Sequence, residues 1–125
     1  MTDQIADLLV RIRNASAIGK HEIKIPFSKM KESILKILKS EGFVEKIEIT
    51  EEQKKKIIQI ELSEKNLSHI RQISKPGQRI YTKSKNIPKP LRGLGLVIIS
   101  TPLGVITARE ANKKGLGGEL ICEIW

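Results

Sequence analysis

The stretch "GQRIYTKSK" sets one aromatic among cations, with Arg79, Tyr81, Lys83 and Lys85 at every second position. On an extended strand such positions share one face. A ring bracketed by three positive charges can stack on an unpaired base or a ribose while the charges meet phosphate oxygens. A half-buried tyrosine with its hydroxyl in solvent is the plainer alternative. Further along, "STPLG" offers the Ser100 and Thr101 hydroxyls in a tight turn, with Gly104 permitting close backbone approach. Hydroxyls and free backbone N–H groups suit 2′-OH and phosphate contacts, the means by which proteins read irregular RNA by shape. An ordinary β-turn would look the same.

Charge points the same way. The 125 residues include 23 Lys and Arg against 14 Asp and Glu, a net charge of +9. No acid lies between Glu64 and Glu110, and that interval holds nine bases: Lys65, Arg71, Lys75, Arg79, Lys83, Lys85, Lys89, Arg92 and Arg109. The other 14 bases only balance the 14 acids. Clustered cations displace condensed counterions from a phosphate backbone, so this segregation points to a polyanionic partner. A basic face kept for solubility is the bland alternative. An anionic membrane surface wants an amphipathic helix with apolar anchors, and the interval carries Pro76, Gly77, Pro88, Pro90, Gly93 and Gly95 instead.

Catalytic chemistry is not visible. His21 and His69 stand apart, with no cysteine or carboxylate at ligand spacing, and no CxxC pair, HExxH, P-loop or dinucleotide fingerprint occurs. "GLGGE" precedes a strand pattern, not a helix, so it is no phosphate-binding helix start. No enzyme activity, metal or cofactor is expected. The lone Cys122 excludes an internal disulfide and fits a reducing compartment. No apolar run approaches the roughly 18 residues of a membrane span. "MTDQIADLL" has acids where a signal peptide would carry positive charge.

The elements that must hold these groups follow from periodicity. Ile5, Leu8, Leu9 and Ile12 predict a helix over 2–13, capped by Thr2 or Asp3, with 14–20 as a connection. "EIKIPF" reads as a short strand, with Pro26 at an edge or terminus. Ser28 should cap a helix over 29–41 with Met30, Ile34, Ile37 and Leu38 as its stripe, and Gly42 should stop it. "FVEKIEI" and "KIIQIEL" are strands around a polar turn at 50–55, whose acids make Lys54, Lys55 and Lys56 poor phosphate binders. Residues 63–69 read as a linker. Beyond it, "HIRQIS" and "RIYT" are short strands broken by Pro76-Gly77, 84–93 is a Pro-rich loop, and "LVIIS" is a buried strand. Thr107 and Glu110 form a capping box for a two-turn helix ending at Gly115, and Gly117 and Gly118 lead into a last strand. The expected fold is α+β with two small domains. The first, over 1–64, is α-β-α-β-β; the second, over 65–125, is mostly antiparallel β with one short helix. Nothing has the form of a DNA recognition helix, so RNA is favoured.

Seven segments carry a resemblance: "IADLLVRIRNA", "SKMK", "EGFVE", "ISKPGQRIY", "GLGLVIIST", "GVITAREA" and "GLGGELICEIW". In their order and spacing the chain resembles the bacterial-type ribosomal protein S-eight family of the small subunit, over essentially its whole length. The resemblance implies direct binding to a helical, internally distorted region of the 16S-type rRNA central domain and help in early subunit assembly. It also implies, in some bacteria, repression of the protein's own operon mRNA. It places the chain in the small ribosomal subunit beside neighbouring ribosomal proteins, in the cytoplasm, or in the plastid stroma if organelle-encoded. The family's RNA contacts fall here on Ser100, Thr101 and Gly104, on Arg79 and Tyr81, and on Gly117, Gly118 and Glu119. Lys83, Lys85 and Lys89 join them as part of the basic stretch, and the N-terminal domain would add Asn14, Lys29 and Lys31. Pro102 and Leu103 stand where the family often has serine and a polar residue, which removes a hydroxyl and stiffens the loop. Ala108 replaces a frequent acid, yet the capping box survives. The competing reading is a free-standing RNA- or DNA-binding regulator on the same scaffold.

Overall fold

The computed structural model describes residues 3–65, 67–89 and 95–125. They fall into two compact units, Thr2–Leu67 and Ser68–Trp125.

In the first unit, helix α1 (Gln4–Ala17) begins where the Asp3 carboxylate accepts from the Ala6 N–H at 3.1 Å. Thr2, the other candidate cap, lies outside the described residues. The helix runs past the predicted end because Ala15 extends the buried stripe of Leu8, Leu9 and Ile12. Asn14, expected in a connection, is therefore helical, and the stop falls at Gly19, with φ +72°. Strand β1 (Glu22–Pro26) alternates exposed and buried residues. In α2 (Lys29–Ser40) the Ser28 hydroxyl accepts from the Lys31 N–H at 3.1 Å, as its cap spacing requires.

Strands β2 (Val44–Glu52) and β3 (Lys55–Leu62) are joined by Gln53 and Lys54, whose φ values are 52° and 66°. Positive φ at both central residues gives the two-residue turn whose twist matches that of paired strands. The sheet order is β1-β3-β2, all antiparallel. Its register sets Ile23 opposite Ile60 and Ile25 opposite Ile58. These four are buried, as are Leu8, Leu9 and Ile12 of α1 and Ile34, Leu35 and Leu38 of α2. The start of the expected linker is bound to this unit. The Ser63 hydroxyl donates to the Gly42 carbonyl at 2.6 Å, and the Lys65 ammonium lies 4.2 Å from the centre of the Phe43 ring.

The second unit is built around β8 (Gly118–Ile124). Strands β4 (Ile70–Gln72) and β5 (Tyr81–Thr82) pair along one of its edges, β6 (Leu96–Thr101) along the other, and β7 (Gly104–Thr107) pairs with β6. Both β4 and β5 are shorter than "HIRQIS" and "RIYT" led one to expect. The loop predicted over 84–93 opens with a 3-10 turn, η1 (Ser84–Asn86), and from Pro90 to Leu94 it lies outside the described residues. Helix α3 (Ala108–Lys114) has the predicted cap, Thr107 accepting from the Glu110 N–H at 3.2 Å. It ends on left-handed Gly115. One face of the sheet packs under α3 through Ile87, Val97, Ile99, Ala111 and Leu120.

Residues 68 and 69, read as linker, belong to this unit. Their N–H groups both donate to the Trp125 carbonyl at 2.8 Å, and the His69 ring stacks on Trp125 at 3.9 Å. Beside them Arg71 donates to the largely buried Glu123 carboxylate at 2.7 Å. The α+β architecture with antiparallel sheets is as expected.

Candidate nucleic-acid interface

Cross-strand register assembles the site. Tyr81 pairs with Glu119 across β5 and β8, Glu119 with Ser100 across β8 and β6, and Ser100 with Val105 across β6 and β7. Residues directly opposite in antiparallel strands point to the same face. The ring, the carboxylate and the hydroxyl thus stand in one row, although they come from three separate segments. Tyr81 is 69% exposed. The Ser100 hydroxyl is half-buried and has no protein partner among the described residues. Glu119 accepts from the Arg79 guanidinium at 3.0 Å, so this acid is held and neutralised. That pairing leaves a fixed carboxylate able to accept from a base amino group.

Ser74 positions the aromatic, and nothing in the chain's local pattern announced it. Its buried hydroxyl accepts from the Ile80 N–H at 2.8 Å and donates to the Ile80 carbonyl at 3.3 Å. These bonds close the loop through Pro76 and Gly77 and deliver Arg79 and Tyr81 to the edge of β8, where the Leu120 N–H donates to the Ile80 carbonyl at 2.9 Å.

Thr101 has a different task from Ser100. Its hydroxyl donates to the Gly104 carbonyl at 2.9 Å and accepts from the Leu103 N–H at 3.2 Å. It builds the β6–β7 turn and is itself only 9% exposed. Gly104 sits at φ +117°, a conformation that side chains resist. Pro102 and Leu103 are exposed at the tip.

Gly117 and Gly118 are also structural parts of the site. A Cβ at Gly117 would run into the Thr82 carbonyl oxygen, and one at Gly118 into that of Ser100. These glycines let β5, β8 and β6 close on one another, which is what brings the row together.

The cation stripe read from alternate positions does not form. β5 ends at Thr82, and the chain turns through η1 to bury Ile87 beside Ala111. Lys83, Lys85 and Lys89 are exposed, but Lys85 and Lys89 leave with η1 and Ile87 for the side of the sheet that α3 covers. Arg79 stays with Tyr81, tied to the Glu119 that pairs with it. Arg92 lies outside the described residues.

In the N-terminal unit, Asn14 on α1 and Lys29 at the start of α2 are exposed. Lys31 is not: it is 4% exposed and its ammonium donates to the Pro26 carbonyl at 3.3 Å. The signal was present, since 31, 34, 35 and 38 are spaced as one helical face. Elsewhere, burial and then the neighbouring Glu123 push the Cys122 thiol up to about 12, which fits a packed side chain and not a nucleophile. Among the described residues no group of three or more His, Cys, Asp or Glu could hold a metal ion. No described helix is long and apolar enough to cross a membrane.

Comparison with known proteins decides the family. The family model described as ribosomal protein S8 matches residues 3–125. The chain belongs to the ribosomal protein S8 family. It is a structural ribosomal component and not an enzyme. The protein named small ribosomal subunit protein uS8 in Thermus aquaticus is 48% identical, over 100% of this chain and 99% of its own length. Its namesakes in Natranaerobius thermophilus and Staphylococcus haemolyticus are 45% and 43% identical, each over 100% of this chain and 98% of its own.

Proposed function

We propose that this S8-family chain, a structural constituent of the small ribosomal subunit, binds the central domain of 16S-type rRNA directly and so aids subunit assembly. The Tyr81–Glu119–Ser100 row carries the reading. It sets a stacking ring, a fixed acceptor and a free hydroxyl side by side, the chemistry that reads unstacked bases and 2′-OH groups. Arg79 holds the acceptor, and Thr101, Gly104, Gly117 and Gly118 hold the backbone that carries it. Lys83 supplies charge to the surrounding phosphates, and Asn14 and Lys29 add contacts from the N-terminal unit. Neighbouring small-subunit proteins complete its surroundings, and an operon mRNA that imitates the rRNA site would occupy the same row.

Binding of a 16S central-domain fragment and of an unrelated duplex of equal length tests the reading. The fragment should bind far more tightly at physiological salt. Tyr81→Ala and Ser100→Ala should each weaken it by about 1–3 kcal/mol. Equal affinity for the two RNAs would overturn the proposal in favour of a generic nucleic-acid binder.

A further inference from the structure

The face of the C-terminal sheet opposite the Tyr81 row is covered by α3, with Ile87 packed beside Ala111. On that side Arg109, Lys113 and Lys114 of α3 are exposed, as are Lys85 on η1 and Lys89 after Ile87. None of these five has an ion-pair partner among the described residues, whereas Arg71 and Arg79 do. The folded chain thus adds two lysines beyond the acid-free interval to cations that the interval supplies.

Helix physics accounts for only part of this set. Lys113 and Lys114 lie in the last turn, where positive charge suits the helix dipole. Arg109 lies in the first turn, where it opposes the dipole, and one turn from Lys113 it meets a like charge. Glu110, exposed on the same helix, stands three and four residues before Lys113 and Lys114 and offsets part of their charge. Arg109 has no acid at that spacing, so local interactions disfavour a cation there, and an external anion offsets both effects. Protein-binding surfaces present apolar or aromatic side chains at their centre. Among the described residues, the exposed large hydrophobics of this unit are Ile80, Tyr81 and Leu103, and none is on α3 or η1. What this side offers is charge, the requirement for phosphate contacts without base reading.

We propose that the α3–η1 face is a second RNA surface, sequence-independent and specific only for backbone phosphate, so that the C-terminal unit sits between two RNA segments. The inference rests on the reading that the Tyr81 face takes rRNA. It gives the protein a means of holding two segments of a folded RNA together, with specificity on one side and charge on the other.

The test uses the full chain saturated with the central-domain fragment, then titrated at about 50 mM salt with a labelled, unrelated RNA duplex of about 16 base pairs. A ternary complex is expected. The triple variant Arg109→Gln, Lys113→Gln, Lys114→Gln should weaken duplex binding about tenfold or more and lower the salt slope by about 2–3, at roughly 0.9 per neutralised phosphate. Its affinity for the fragment should stay within about threefold, because the Tyr81 row is untouched. Lys85→Gln with Lys89→Gln, away from the helix, should repeat the pattern and guards against a folding defect in α3. Absence of the ternary complex overturns the inference. So does equal weakening of fragment and duplex, which would mean one continuous surface, or competition by polyglutamate as effective as the duplex, which would mean an acidic-protein surface. Loss of the fragment's preference over the unrelated duplex is a separate result, and it sinks the rRNA reading itself.

Discussion

Replacing Gly118 by alanine places one methyl group against the backbone of β6. The added Cβ would run into the Ser100 carbonyl oxygen, and would stand 2.9 Å from that carbonyl carbon and 3.2 Å from the Thr101 Cα. Carbon atoms rest at about 3.5–4.0 Å, and these neighbours are backbone that cannot rotate away. The strands must therefore part by about an ångström at the pairing of Ser100 with Glu119, which stretches the local ladder bonds out of range. Overpacking of this kind costs about 1–3 kcal/mol, and a lost backbone hydrogen bond adds about 1 kcal/mol. The sum, about 3 kcal/mol, is a large part of the roughly 5–15 kcal/mol that keeps a domain folded.

Trp125 reports on it directly. It is the only tryptophan and stacks on His69 in the same unit, so its fluorescence follows this unit through a urea titration. The midpoint should fall with the slope unchanged. Gly104→Ala is the contrast: nothing lies within 4 Å of its added Cβ, and only the φ of +117° opposes it, at about 1–2 kcal/mol. RNA affinity should fall in Gly118→Ala even where the unit remains folded, since the row loses its register. A Gly118→Ala protein as stable as the parent, or less damaged than Gly104→Ala, would refute the argument from close strand approach.

Thr101→Val keeps the shape but removes both turn bonds, and should destabilise the unit by about 1–2 kcal/mol while raising amide exchange at Leu103. Lys31→Met should leave the salt dependence of RNA binding unchanged, because that ammonium is tied to the Pro26 carbonyl, whereas Lys29→Gln should flatten it. With its thiol raised from 9.0 to about 12, Cys122 favours the folded state below about pH 9, and this contribution is lost as pH rises toward 12. Alkylation of Cys122 at pH 8 should accordingly track urea unfolding, and rapid labelling of the native protein would contradict its burial.

Much of the fold was legible because its signals are short-range. Asp3, Ser28 and Thr107 sit where a cap must sit, and Gly42 and Gly115 where a helix must stop. Such interactions span three or four residues, and the chain displays them directly. Where a distant contact sets the limit, the local pattern does not show it. Asn14 is helical because Ala15 is buried, and "RIYT" shrinks to two residues because η1 carries Ile87 into the core. Lys31, set among the RNA contacts by the family resemblance, has a spacing that puts it with buried Ile34, Leu35 and Leu38.

The amino-acid sequence by itself determined the two-part α+β layout, the concentration of positive charge, the absence of a catalytic set and the membership of a ribosomal family. Tertiary structure alone decided which groups stand together. Tyr81, Ser100 and Glu119 meet through strand register, a long-range property set by the pairing of whole strands and by two glycines that let backbones touch. Lys85 and Lys89, which looked like part of the Tyr81 basic stretch, were drawn to the other side of the sheet by the burial of a single isoleucine.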